Sequence, residues 1–196
     1  MSLRRLNPNG LGYSDEVALK GLELIRKHSR KGIIPKEEID EELLLFFDQE
    51  KLAFPATSFK DSLSWNMRFL SLTDLEIPYI IRYIFLNDFD WRKAVKEYFK
   101  KIGEEKPEDF VEIVEKIVKR RNKFLITGND ITDICMEFGR DSGVVIAELK
   151  GAGIISPYWG CGKLAAKLEK IYGGPLYEIN RFLIKLIEKF SNGKHR

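Results

Sequence analysis

Ile-Thr-Asp-Ile-Cys-Met-Glu-Phe-Gly-Arg-Asp-Ser-Gly-Val-Val-Ile-Ala-Glu-Leu-Lys-Gly-Ala-Gly-Ile-Ile, residues 131–155, decides the fold. It reads as two short helices around a tight turn. Ile131, Ile134 and Phe138 recur at three and four residues, the spacing of one helix face. Gly139 follows where a chain leaves a helix in the left-handed conformation. Asp141 or Ser142 caps a second helix, on which Val145, Ile146 and Leu149 form the facing apolar side. Gly153 stops that helix, and Ile154-Ile155-Ser156 begins a strand.

Working outward, Asn129 is the expected cap of the helix Ile131–Phe138. Pro107 opens a preceding helix that runs to about Arg121. Downstream, Gly174-Pro175 leads into a return strand, Leu176-Tyr177-Glu178. A last helix runs from about Ile179 to Phe190. The 18 residues from Pro157 to Gly174 exceed a hairpin loop. Their middle, Lys163 to Ile171, is helix-like, so the segment reads as a wing with a helical insertion or as a further helix.

Two helices, a glycine turn, then Leu149-Lys150-Gly151-Ala152-Gly153 and a strand resemble the winged helix-turn-helix superfamily. The resemblance spans roughly residues 107–190. It implies a three-helix core, a β-hairpin wing and a second helix in the groove-reading position. The expected fold is mainly α: an N-terminal helical domain, residues 1–105, then a winged helix-turn-helix domain, residues 106–196, with a small β-hairpin wing. Gly103-Glu104-Glu105-Lys106 is the boundary between them.

The N-terminal half reads as helices. Ser14-Asp15-Glu16 opens one that stops at Gly32, and Pro35 opens a second with Glu37 and Glu38 in its first turn. Ala53-Phe54-Pro55 is a break. Ser58 caps a third helix through Leu72. Thr73 and Glu76 form a capping box for a fourth, with Pro78 early in it. Trp91 to Ile102 is a fifth.

Composition bounds the function. Hydrophobic content of 44% sustains a core. No apolar run is long enough to cross a bilayer, and no apolar stretch follows Arg4-Arg5, so neither a membrane span nor a signal peptide is expected and a cytoplasmic location is. Charged residues make up 32%, and Gln49 is the only glutamine, a balance that suits a hyperthermophile. Two cysteines, Cys135 and Cys161, and two histidines, His28 and His195, make neither a disulfide framework nor a zinc site. Net charge is +3, divided as −1 before Lys106 and +4 from there on.

Candidate chemistry is sparse. Gly160-Cys161-Gly162-Lys163 lacks the first glycine and the Ser or Thr of a phosphate-binding loop. The acidic run from Glu37 to Glu42, and Asp88 with Asp90, suit caps and solvated faces. No enzyme and no cofactor is expected. The resemblance implies double-stranded DNA as ligand, as for a transcription regulator, and the candidate nucleic-acid contacts are Lys119, Arg120, Arg121, Arg140, Ser142, Lys150, Lys163 and Lys167. Five cations fall between Lys116 and Lys123, and Tyr158 and Trp159 lie beside the wing lysines, which suits phosphate contact and stacking. The second helix carries no Arg, Asn or Gln, so its base readout would be poor. A protein-interaction winged helix, a subunit of a nucleic-acid-processing assembly, therefore stays open beside the DNA reading. Ile179, Phe182, Leu183, Leu186, Ile187 and Phe190 form one apolar stripe, and a homodimer through that C-terminal helix is a further expectation.

Overall fold

The computed structural model describes residues 15–56, 65, 70–159, 170–171 and 173–192. It is mainly helical, with two small antiparallel sheets. In the N-terminal half, α1 (Glu16–His28) starts under Asp15, whose Oδ1 accepts from the Ala18 amide at 2.7 Å. The helix expected from Pro35 is divided. Lys36–Glu38 makes a single 3-10 turn, Ile39 is extended, and Asp40 caps α2 (Glu41–Glu50) through the Leu43 amide at 2.9 Å. α3 (Tyr79–Leu86) and α4 (Trp91–Lys101) follow, the latter capped by Asp90.

Three two-residue strands tie these helices together: β1 (Ile33–Ile34), β2 (Phe54–Pro55) and β3 (Leu75–Glu76). β3 is central, and Glu76 stands opposite both Ile33 and Phe54. Two expectations are corrected here. Ala53-Phe54-Pro55 is not a bare break but contains an edge strand, a place where proline is tolerated because its missing N–H faces away from the ladder. The capping box of Thr73 and Glu76 does not form. Leu75–Glu76 pairs in the sheet instead, and the helix starts only at Tyr79 after Pro78, a residue that disfavours helical backbone in the one before it. The helix expected from Ser58 is absent at Leu70–Leu72, and most of its span lies outside the described residues.

The C-terminal half runs α5 (Pro107–Arg120), β4 (Leu125–Thr127), α6 (Gly128–Glu137), α7 (Ser142–Ala152), β5 (Ile155–Pro157), β6 (Leu176–Ile179) and α8 (Arg181–Asn192). β6 lies between β4 and β5, with Ile126 opposite Tyr177 and Ile155 opposite Ile179. Strand β4 is unforeseen: three residues between two helices are too short for a visible alternation. The cap of α6 is Thr127, whose Oγ1 accepts from the Asp130 amide at 3.0 Å. Asn129 sits inside the helix, and its Nδ2 donates to the Gly173 carbonyl at 2.9 Å. Asp141 caps α7 through the Val144 amide at 2.9 Å. Gly139 and Gly153 both have positive φ, +62° and +74°. Lys170 and Ile171 are helical, while residues 160–169 lie outside the described residues.

One hydrophobic core runs through both halves. Phe99 of α4 stacks on Phe110 of α5 at 3.7 Å, and Phe85 of α3 stacks on Phe182 of α8 at 5.8 Å. Polar contacts cross the same boundary. The Asn180 amide donates to the Lys51 carbonyl at 2.8 Å, and Lys185 meets Glu50 at 2.6 Å. The last helix starts at Arg181, so Ile179 of the expected stripe ends β6 instead; it is buried, as are Phe182, Leu183, Leu186 and Ile187 of α8, and Phe190 remains 45% exposed. α2, α4 and α5 cover α8. No described helix is long and apolar enough to cross a membrane.

Candidate functional site

The α6–α7 pair, with the end of α5 beside it, carries the expected binding residues. Arg140 leaves the α6–α7 turn and folds inward, with its side chain 17% exposed. It donates to Glu104 Oε2 at 2.7 Å, Asp109 Oδ2 at 3.0 Å and the Lys106 carbonyl at 3.1 Å, over the ring of Phe110. All these partners precede it in the chain, so its cationic fork is committed to the fold.

The cations at the end of α5 are matched by acids. Lys119 pairs with Glu115 at 2.9 Å, and Glu115 also binds Arg92. Arg120 pairs with Glu137 of α6 at 2.8 Å, where Lys116 joins it. Arg121 meets Glu188 of α8. Asp109, which holds Arg140, and Arg120 are eleven positions apart on one helix. At the rise of an α-helix that separates them by roughly 15 Å. Arg140 and the Lys119–Arg121 group therefore do not form one patch. Ser142 is half-buried at the first position of α7, and Lys150 is exposed near its end. Lys163 and Lys167 lie outside the described residues. Tyr158 packs edge-on against Phe124, while Trp159 is 59% exposed.

What α6 and α7 expose is different in kind. Of the charged residues between 128 and 152, Asp133, Glu137, Asp141 and Lys150 are exposed, Glu137 being paired with Lys116 and Arg120, while Asp130, Arg140 and Glu148 are half-buried. Met136 is 69% and Val144 55% exposed, with Gly143, Ala147 and Gly151 also open. Val145, Leu149 and Ala152 face the core, and the side bearing Glu148 and Gly151 turns toward α4, where Tyr98 Oη is 3.7 Å from the place a Cβ on Gly151 would occupy. The free sector of α7 is thus Gly143, Val144, Ala147 and Lys150. Apart from Lys150 it is small and apolar, with Asp141 exposed at its start.

Sequence reasoning missed a cluster beneath this face. Glu148 is a carboxyl beside another carboxyl, Glu104, to which Arg140 donates. Burial first, then the hydrogen bond and charge of Glu104, push the Glu148 carboxyl up to about 7. Burial opposes the Glu104 charge, but the hydrogen bonds from Arg140 and Glu148 outweigh it and keep Glu104 below its ordinary range. Burial also pushes Tyr98 up to about 12. In the sequence Glu148 reads as an outer-face residue, and nothing local signals its partner 44 positions away. Cys135 is buried, which raises its thiol, and Cys161 lies outside the described residues. No group of His, Cys, Asp and Glu suited to a metal occurs among the described residues.

The protein is mainly helical, with two three-stranded antiparallel sheets among the described residues. One family model matches residues 5–190, and the chain belongs to that family, to which no function is assigned. No curated protein and no solved structure matches it.

Proposed function

We propose that residues 107–192 are a winged-helix module and that the exposed face of α6 and α7 binds a protein partner carrying basic and apolar side chains. The winged-helix reading rests on element order: helix, strand, helix, helix, strand, strand, with the last strand central in the sheet. The observation that carries the partner class is the pair of exposed apolar side chains Met136 and Val144 on the helix pair that would otherwise enter a groove, with three exposed acids, Asp133, Glu137 and Asp141, against one exposed base, Lys150, among the described residues of that pair. Duplex DNA is repelled by such a face, whereas a basic, amphipathic segment is complementary to it. Peptides selected on the immobilised protein from a random display library should be rich in Lys, Arg and large apolar residues. Val144→Glu and Met136→Glu should each weaken their binding at least tenfold. Selected peptides indifferent to both substitutions would remove the reading.

A nucleic-acid reading has one observation in its favour, the five cations from Lys116 to Lys123. Exposed ion pairs such as Arg120 with Glu137 are worth little, so phosphate could displace the carboxylate. The discriminating measurement is anisotropy of labelled duplex DNA at about 50 mM and about 200 mM salt. The protein-partner reading expects no saturable binding at the lower salt. Saturable binding that falls steeply with salt, and that Arg120→Ala weakens, would favour nucleic acid instead.

A further inference from the structure

We propose that Glu104 and Glu148 form a proton-operated latch, in which one shared proton holds α7 against the joint between α4 and α5 and its loss loosens that contact. The inference does not depend on what the α7 face binds.

Geometry carries it. Two carboxyls hydrogen-bond to each other only if one of them keeps its proton. Glu148 Oε2 is buried and, among the described residues, no hydrogen-bond donor is directed at it, an arrangement that suits the neutral acid and penalises the carboxylate. The single cation in the cluster among the described residues, Arg140, donates to Glu104 and Asp109. It already serves two carboxylates, so a third negative charge has no partner. The remaining groups are phenols or lie further out: Tyr98 of α4 faces Glu148, Tyr79 and Tyr83 of α3 lie against Tyr98, and Arg82 and Lys101 sit over the rings of Tyr79 and Tyr83. None of these neutralises an ionised Glu148 directly.

The elements joined by the pair give the proton its leverage. Glu104 follows the end of α4, Asp109 belongs to the first turn of α5, and Glu148 lies in the middle of α7. Ionising Glu148 therefore sets like charges across the contact between the N-terminal half and the helix whose outer face is exposed. The raised carboxyl of Glu148 puts the change close to neutrality. The latch contributes fully below the ordinary carboxyl value of 4.5 and is lost as pH rises through about 7. Glu104, held low, has the opposite sign: its contribution is present above 4.5 and disappears only as pH falls below that.

The test uses the full chain and its Glu148→Gln and Glu104→Gln variants, since glutamine keeps a hydrogen-bond donor without a titrating proton. Carbon-13 NMR of the glutamate carboxyls should show one resonance titrating near 7, absent in Glu148→Gln and moved down toward the ordinary range in Glu104→Gln. Amide exchange in α7, corrected for intrinsic rates, should rise between about pH 5 and about pH 8 in the wild type and stay level in Glu148→Gln. A Glu148 resonance that titrates in the ordinary carboxylate range overturns the proposal. So does an equal rise in α7 exchange in wild type and Glu148→Gln.

Discussion

Arg140 has the chemistry of a phosphate contact and follows a helix-ending glycine, so the sequence presents it as a binding residue. In the fold its guanidinium bridges Glu104, Asp109 and the Lys106 carbonyl. Arg140→Ala leaves two half-buried carboxylates without their cation beside Glu148. We expect a loss of at least about 2 kcal/mol in urea unfolding at pH 7. By contrast Glu137→Gln, which breaks pairs about 40% exposed, should leave the unfolding midpoint close to that of wild type. Gly153 offers a second residue-scale check. Its φ of +74° and a Pro78 carbon 2.6 Å from the Cβ it lacks both exclude a larger side chain. Gly153→Ala should cost roughly 1–3 kcal/mol by the same measurement. An unchanged midpoint would mean that Pro78 moves aside freely.

Elements whose ends are written in local chemistry matched the reading. α7 begins under Asp141 and ends at Gly153, and α5 begins at Pro107, because a capping carboxylate, a left-handed glycine and a first-turn proline act within four residues of themselves. Elements that need a distant partner did not. β4 exists because β6 returns beside it, and β3 because β1 and β2 flank it. The stripe of α8 was legible in its spacing, but what covers it was not. Leu186 is fully buried in the core shared by both halves, so Leu186→Ala should cost about 2–5 kcal/mol. Phe190 alone of the stripe is partly exposed, and Phe190→Glu should leave the unfolding midpoint within about 1 kcal/mol of wild type. A loss as large as that of Leu186→Ala would place Phe190 in a contact not seen within one chain.

For the whole molecule, continuity of the core has a measurable consequence. Phe99 on Phe110 and Phe85 on Phe182 lock the N-terminal helices to the C-terminal ones, so unfolding in urea should be a single transition that far-UV dichroism and tryptophan fluorescence report alike. Two separated transitions would show halves that unfold independently. With most of the α8 stripe covered, light scattering should give a mass near 22.8 kDa, and a stable dimer would require an interface other than Leu183 and Leu186. By itself the sequence determined the helical class, the two helices between residues 128 and 152, the cap and the glycine stop of the second, and the two strands after it, because periodicity, capping and glycine conformation are short-range properties. Only the tertiary structure decided which charges are spent. Arg140, Arg120, Arg121 and Glu148 each meet partners at least 17 positions away, and pairing at that range follows from how the helices pack, not from any local pattern.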